Sequence, residues 1–348
     1  MADGQQFADL VFEGGGVKGI GLAGGFAALE QRGFTPKNVA GTSAGAITAA
    51  LVAAGYSAAE LDKILLEVPF SKFKDRGPED RLPGIRAAAL LWEKGIYEGE
   101  FFRAWMAGLL AAKGISKFGQ LVDESAEGPE KAYRLRVIAS DVTHKRMLVL
   151  PNDARHLGVE PDDLDVAYAV RMSMSIPMFF EPVVHRNPLT DEDHLIVDGG
   201  MLSNFPVWLF DCEGRDPKWP TFGMMLVEPD PKVPVGHRIE KGDGGERNSL
   251  LDYVKAMAQT MMAAHDRLYI EKANYARTIP IPTLGIGTTE FDISPDRVKL
   301  IYDSGHKAAS DFLGRWDFDA YIAEFRSGKS HSRRETLVAA MEGAPVEH

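Results

Sequence analysis

The chain is poor in cysteine, has no surplus of positive charge and contains no long apolar run. Cys212 is its single cysteine, so an internal disulfide framework and a multi-cysteine metal site are both excluded, and the thiol reads as a structural one suited to a reducing compartment. With 39 Lys and Arg against 50 Asp and Glu the formal net charge is −11. Broad nucleic-acid binding needs clustered cations to neutralise phosphate, and docking on an anionic membrane by charge needs the same. Membrane contact would therefore rest on exposed apolar and aromatic side chains or on a local basic patch. No segment approaches the length of a membrane-spanning helix. Met1 to Gln6 lacks the basic region and apolar stretch of a signal peptide, so a cytoplasmic protein is the expectation; export by a signal-independent route would leave the same sequence signature.

What is present is a chain of 348 residues, 45% hydrophobic, which is enough for one large core or two moderate ones. It shows no internal repeat and no clear break in composition. The expectation is one domain with insertions over residues 1–314, followed by a charged peripheral tail over 315–348.

The most informative stretch is Gly41-Thr42-Ser43-Ala44-Gly45. It lies between a short extended segment, Asn38-Val39-Ala40, and a run of small helix-forming residues from Ala44 to Ala54. In so tight a strand-turn-helix the central serine is forced into a strained backbone conformation, while glycines on either side remove side chains that would collide. Ser43 Oγ then stands at a helix N-terminus, where partial positive charge favours an anionic intermediate. A bare G-x-S-x-G is also compatible with an ordinary turn and a serine N-cap, so its neighbours decide.

Upstream, Ala8 to Glu13 reads as a strand that runs into Gly14-Gly15-Gly16-Val17-Lys18-Gly19 and then a helix closed at Gly33. Right-handed crossovers bring this loop and the serine turn to the same edge of a parallel sheet. Three bare glycines allow the N–H groups of Gly14, Gly15 and Gly16 to point at one oxygen beside Ser43, as an oxyanion hole requires. The same loop also fits a dinucleotide fingerprint, which asks further for an acidic residue at the end of the second strand. Ala40 and Gly41 stand there instead.

Further along, Ser57 to Glu60 forms a capping box for a helix reaching about Glu67, and residues 68–84 read as a long surface connection of the kind that serves as a lid. Helices are expected over 85–92 and 101–110, carrying Trp92, Phe101, Phe102, Trp105 and Met106 as core or as an apolar mouth for an acyl chain. Arg134 to Ala139 and Arg146 to Leu150 read as paired strands turning at Thr143-His144. A helix from about Leu164 to Met174 is stopped by Pro177, Leu195-Ile196-Val197 reads as a buried strand, and Phe222 to Val227 as another. Residues 228–246 read as a mobile loop, 250–276 as a long helix with a methionine stripe, and Ser294-Pro295 as the start of a last helix.

A nucleophilic serine needs a proton acceptor. None of the nine histidines stands at a strand end in the way a triad histidine would; His265 falls in a helix, and His144, His237, His331 and His348 have polar, exposed contexts. Asp198 is better placed, because an apolar strand ends on it and Gly199-Gly200 clears space for a neighbour. A carboxylate of pKa about 4 is a weak base for an alcohol, so burial must raise it and an oxyanion hole must lower the cost of the alkoxide-like state.

With these three motifs in order, and with Ser173-Met174-Ser175-Ile176-Pro177, Phe179-Phe180 and Asn204-Phe205-Pro206 around them, the chain resembles the patatin-like phospholipases from about Ala8 to Pro206. The resemblance implies an α/β/α sandwich of three layers with a mainly parallel central sheet. It implies a serine-aspartate dyad in which Ser43 is the nucleophile and Asp198 the base, with Gly14 to Gly16 as the oxyanion hole. Gly41, Gly45, Gly199 and Gly200 shape the turns, and Lys18, at a position that is basic in the family, steadies the loop or a lipid head group. The implied reaction is hydrolysis of a phospholipid or neutral-lipid ester through an acyl-serine, without calcium, metal or other cofactor, at transient contact with a membrane surface. A dinucleotide-binding module and a non-catalytic interaction protein of the same fold stand as the alternatives.

Overall fold

The computed structural model describes residues 6–68, 70–73, 97, 99–124, 132–212, 216–228 and 272–326. The expected helix over 85–92 with Trp92, the loop 229–246 and the helix 250–271 with His265 lie outside them.

The chain alternates strand and helix through its first half: β1 (Gln6–Phe12), α1 (Ile20–Gln31), β2 (Phe34–Thr42), α2 (Ala44–Ala53) and α3 (Ala58–Glu67). Then come α4 (Glu100–Ala112), β3 (Leu135–Asp141), β4 (Arg146–Leu150), α5 (Val166–Ser173), β5 (Val183–Arg186) and β6 (Asp193–Asp198). The last part holds β7 (Thr221–Val227), α6 (Lys272–Ala276), β8 (Thr278–Pro282), α7 (Pro295–Leu313) and α8 (Phe318–Phe325). Together they form an α/β domain with one mixed central sheet and flanking helices. β3, β2, β1, β7 and β8 run parallel, whereas β4 and β6 are antiparallel to β3 and β5 is antiparallel to β6.

Local chemistry accounts for the elements. Every residue of α2 except Ile47 is buried, which is why its sequence is apolar nearly all round, with Thr48 the one polar side chain, instead of amphipathic. The capping box at α3 is formed on both sides, Ser57 bonding the Glu60 N–H and Glu60 bonding the Ser57 N–H. Leu10 and Phe12 of β1 face the main core with α1, α2 and α7, while Val11 joins a smaller cluster with Phe205, Val207, Phe210 and Met225. Alternate residues of that strand therefore serve opposite faces of the sheet. Within the segment read as a tail, the residues on either side of α8 pack on the domain: Trp316 meets Phe222 at 4.7 Å, and Arg326 reaches Asp211 at 2.7 Å, where Arg277 also binds at 2.7 Å.

The register around β3 brings two strand ends together. Residues Val137 to Asp141 pair with β4 along one edge. The opposite edge is shared end to end: β2 occupies it through Ile138, opposite Thr42, and β6 takes over at Ala139, opposite Asp198. Two strands running in opposing directions thus end against each other on adjacent rungs. The residue after β2 is Ser43, and the residue at the end of β6 is Asp198.

Candidate active site

Ser43 adopts φ 52° and ψ −124°, a positive φ that residues with a side chain rarely take and that surrounding structure must enforce. The flanking glycines show how. A Cβ on Gly41 would stand 2.3 Å from the Gly45 carbonyl oxygen, and one on Gly45 would stand 2.2 Å from that of Phe12. The turn is too tight for any larger residue. Ser43 N–H donates to Ser173 Oγ at 2.8 Å, which ties the turn to the end of α5, and Thr42 Oγ1 donates to the Ser203 carbonyl at 3.0 Å.

Asp198 is completely buried. Its N–H donates to the Ser175 carbonyl at 2.9 Å, and its Oδ1 accepts the Gly200 N–H at 2.8 Å. A Cβ on Gly199 would lie 2.2 Å from the Ile138 carbonyl oxygen, so the chain leaves β6 by grazing β3. Burial pushes the Asp198 carboxyl up to about 7, with the Ser43 hydroxyl and the Gly200 N–H pulling the other way. Ser43 Oγ and Asp198 Oδ2 each lack a hydrogen bond of ordinary geometry. The pair is close enough for the hydroxyl to bias the acid, without a closed bond between them, a looseness common in sites awaiting substrate.

The glycine loop lies against this pair, since a Cβ on Gly14 would be 3.1 Å from Ser43 Cβ. Its three amides are not equivalent. Gly14 N–H donates to the Asn204 carbonyl at 3.1 Å, so the donors left among the three glycines are those of Gly15 and Gly16. Asn204 grips the loop a second time through Nδ2, which donates to the Gly14 carbonyl at 3.1 Å and to Glu13 Oε1 at 3.4 Å. Val17 N–H is held by the Thr288 carbonyl at 3.0 Å. Lys18 is buried; desolvation lowers its ammonium pKa, opposed by Glu228 and Glu13.

Sequence reasoning gave no role to Arg171, Asn204 or the Asp141 cluster. Arg171 is buried, bonds Ser175 Oγ at 2.6 Å and the Glu181 carbonyl at 2.9 Å, and lies 5.4 Å over Phe180. It thereby organises the Ser173 to Glu181 segment; a lone arginine in the apolar run of α5 was the available signal. Beyond that segment Phe179 stacks on Phe291 at 5.0 Å, and Phe291 meets Phe73, which in turn packs on Phe101, Phe102 and Trp105.

Among the described residues, the groups that shift Asp198 besides burial are the Ser43 hydroxyl and the Gly200 N–H, not a histidine. His144, expected in an exposed context, is half buried, and with His194 it binds Asp141 Oδ2, each Nδ1 at 3.0 Å. Asp141, His144 and His194 bring their ligand atoms together as a metal site would, but the surroundings fix a different chemistry. Asn187 Oδ1 accepts the Leu189 and Thr190 N–H groups, so Asn187 Nδ2 is the atom facing His194 Nε2, at 3.4 Å. Nε2 is then the acceptor and Nδ1 carries the proton. A metal on Nδ1 would set two donors against each other. The cluster is a hydrogen-bonded brace between the β3–β4 turn and β6.

Residues 10–211 match the family described as patatin-like phospholipase. The uncharacterized protein YqhO of Bacillus subtilis (strain 168) is 38% identical over 313 residues, which cover 90% of this chain and 100% of that one. The uncharacterized protein R571 of Acanthamoeba polyphaga mimivirus is 24% identical over 317 residues, 87% of this chain and 92% of that one. Among solved structures, VipD from Legionella pneumophila is similar with a TM-score of 0.53 at 18% identity, over 90% of this chain and 67% of that one, a likeness of fold alone. No helix among the described residues is long and apolar enough to cross a membrane.

Proposed function

We infer that this chain, which belongs to the patatin-like phospholipase family, is a lipid acyl hydrolase working through a Ser43-Asp198 dyad. Asp198 takes the proton of Ser43 Oγ as that oxygen attacks the ester carbonyl carbon. The Gly15 and Gly16 amides hold the developing oxyanion, where one donor is typically worth roughly 10²–10³ in rate. The C–O bond to the alcohol breaks, the alcohol leaves with the proton, and water then cleaves the acyl-Ser43 ester. Gly41, Gly45, Gly199 and Gly200 keep the two turns tight, and Lys18 keeps the glycine loop in place.

The observation carrying this reading is a serine forced to positive φ beside a fully buried aspartate whose pKa is pushed to about 7. With no histidine beside it among the described residues, the aspartate itself is read as the base near neutral pH, and burial supports that basicity. The proposed substrates are phospholipids or neutral lipids met at a membrane surface, with the Phe179, Phe291 and Phe101 aromatics nearest to the acyl chain. The proposed setting is cytoplasmic, consistent with a lone Cys212 that is free. No nucleotide role is proposed, since β2 ends on Gly41-Thr42.

The test is labelling by a fluorophosphonate together with mass-spectrometric analysis of products from mixed-lipid vesicles. The expected result is labelling at Ser43 and release of free fatty acid, both abolished in Ser43→Ala. Fatty-acid release that survives Ser43→Ala would overturn the assignment.

A further inference from the structure

Among the described residues, three side-chain oxygens are shut off from solvent without completing a hydrogen bond: Ser43 Oγ, Asp198 Oδ2 and Asn204 Oδ1. A buried acceptor left unpaired is destabilising, so such atoms call for an explanation. The first two are the proposed nucleophile and base. The third comes from a side chain whose orientation is fixed, because Asn204 Nδ2 faces two acceptors, the Gly14 carbonyl and Glu13 Oε1. Oδ1 must therefore point the other way.

That direction is toward the serine. The position a Cβ would occupy on Gly14 lies 2.2 Å from Asn204 Oδ1 and 3.1 Å from Ser43 Cβ. Both atoms border the space that any Gly14 side chain would fill, which keeps Oδ1 in the immediate neighbourhood of the serine. The Asp198 carboxyl, at the end of β6, is influenced by the same serine hydroxyl, and Oδ2 is its oxygen without a completed hydrogen bond. Two acceptors beside one acyl-bearing oxygen match the two protons of a water molecule.

We propose that Asn204 Oδ1 and Asp198 Oδ2 together orient the water that hydrolyses acyl-Ser43. This rests on the acyl-serine reading above and adds a residue to its second half. The water donates one hydrogen to each oxygen, which turns a lone pair toward the acyl carbon. As its oxygen bonds to that carbon, Asp198 takes the proton it was holding and the carbonyl electrons move to the oxygen facing Gly15 and Gly16. Collapse breaks the bond to Ser43 Oγ, which recovers the proton from Asp198, and the fatty acid leaves with the second water proton. Asn204 changes no charge; its part is to fix the second hydrogen. In the first half-reaction no water is needed, so Oδ1 matters less there.

The prediction separates the two halves. Asn204→Ala should slow the decay of preformed acyl-Ser43 by at least about 10-fold, the worth of one well-placed hydrogen bond. Fluorophosphonate labelling of Ser43 should also fall, because the Nδ2 grip on the glycine loop is lost, but by a factor at least about threefold smaller than the fall in decay. Decay is read by rapid quench and intact-mass measurement after excess p-nitrophenyl ester is removed. If labelling and decay fall by equal factors, Asn204 only holds the loop and the proposal fails; unchanged decay overturns it too. Asn204→Asp keeps an oxygen at the Oδ1 position while breaking the grip on Glu13 and Gly14. It should retain a decay-to-labelling ratio near that of the parent, and a ratio as low as that of Asn204→Ala would count against the idea. Should Asn204→Ala not fold, Asn204→Leu replaces it in the same comparison. A parent protein that never carries an acyl group on Ser43 would overturn the acyl-serine reading itself, whereas a labelled parent with an unaltered Asn204→Ala overturns this proposal alone.

Discussion

Asp198 and Asp141 are both completely buried and both belong to the three rungs that join β3 to β6, yet their surroundings differ in kind. Asp141 is saturated. His194 and His144 donate to Oδ2, the His144 N–H donates to Oδ1, and Arg146 stands at 3.8 Å. Burial pushes its pKa up, but these donors outweigh it and hold the carboxyl below the usual range. Asp198 receives one N–H on Oδ1 and leaves Oδ2 without a full partner, and burial then prevails. Within one pair of strands, the number of donors decides which carboxylate braces the fold and which is free to take a proton.

The largest test of that contrast is activity. Asp198→Asn should lower ester hydrolysis by about 10³–10⁴-fold, as loss of a dyad member does, whereas Asp141→Asn in whatever fraction stays folded should remain within about 10-fold of the parent. Hydrolysis of a soluble ester, normalised to folded protein, checks both.

Stability should invert the order. Asp141→Ala strands two histidines and a backbone N–H, and the loss of one partner from a buried charged network costs about 3–5 kcal/mol. Urea denaturation at pH 7 should show this as a lower midpoint.

Asp198→Asn should instead stabilise. The folded pKa of Asp198 is raised from 3.8 to about 7, so as pH climbs from about 4 to about 7 the unfolded chain releases a proton that the folded one keeps, and stability is lost across that window. Removing the carboxyl should return on the order of 4 kcal/mol at pH 8 and only about half a kcal/mol at pH 4. A midpoint gain that did not grow with pH would break the comparison. Asp141 runs the opposite way: its lowered pKa contributes stability above the ordinary carboxylate range and loses it as pH falls below that range. The acidic limb of kcat/KM should accordingly track Asp198, rising with pH toward a plateau above about 7.

The smallest effect on activity belongs to Asn187→Ala. It frees His194 Nε2 and also removes the Asn187 bonds to the His156 carbonyl and to the Leu189 and Thr190 N–H groups, so it should cost about 1–3 kcal/mol of stability. Activity is expected to stay near that of the parent. A large activity loss would mean that the brace also sets the position of Asp198.

How much of the molecule is legible from its residues alone depends on the reach of each interaction. The serine turn, the capping box at Ser57 and the Asp-Gly-Gly exit each show a pattern within five residues, even though the close approaches that demand Gly45 and Gly199 come from Phe12 and Ile138. The capture of Gly14 by Asn204 joins residues 190 apart, and the bond from His194 to Asp141 joins residues 53 apart. Neither leaves a local pattern. β8 was hidden by Pro280 and Pro282, which interrupt a strand signal yet are tolerated because β8 stands at the rim of the sheet. His144 looked exposed because its neighbours are polar; its partner comes from the same turn, but the burial comes from β6.

The meeting of β2 and β6 along one edge of β3 makes the sheet a ruler for chemistry. Consecutive strand side chains alternate sides at a rise of about 3.4 Å. Adding one amino acid between His194 and Asp198 would therefore turn the carboxyl away from the serine, not merely shift it. Extra length in the Asn187 to Glu192 hairpin would be absorbed outside the ruled segment. A scan of single insertions across residues 187–198 should thus divide sharply, tolerant at its beginning and inactive at its end, with the boundary where the ladder takes hold.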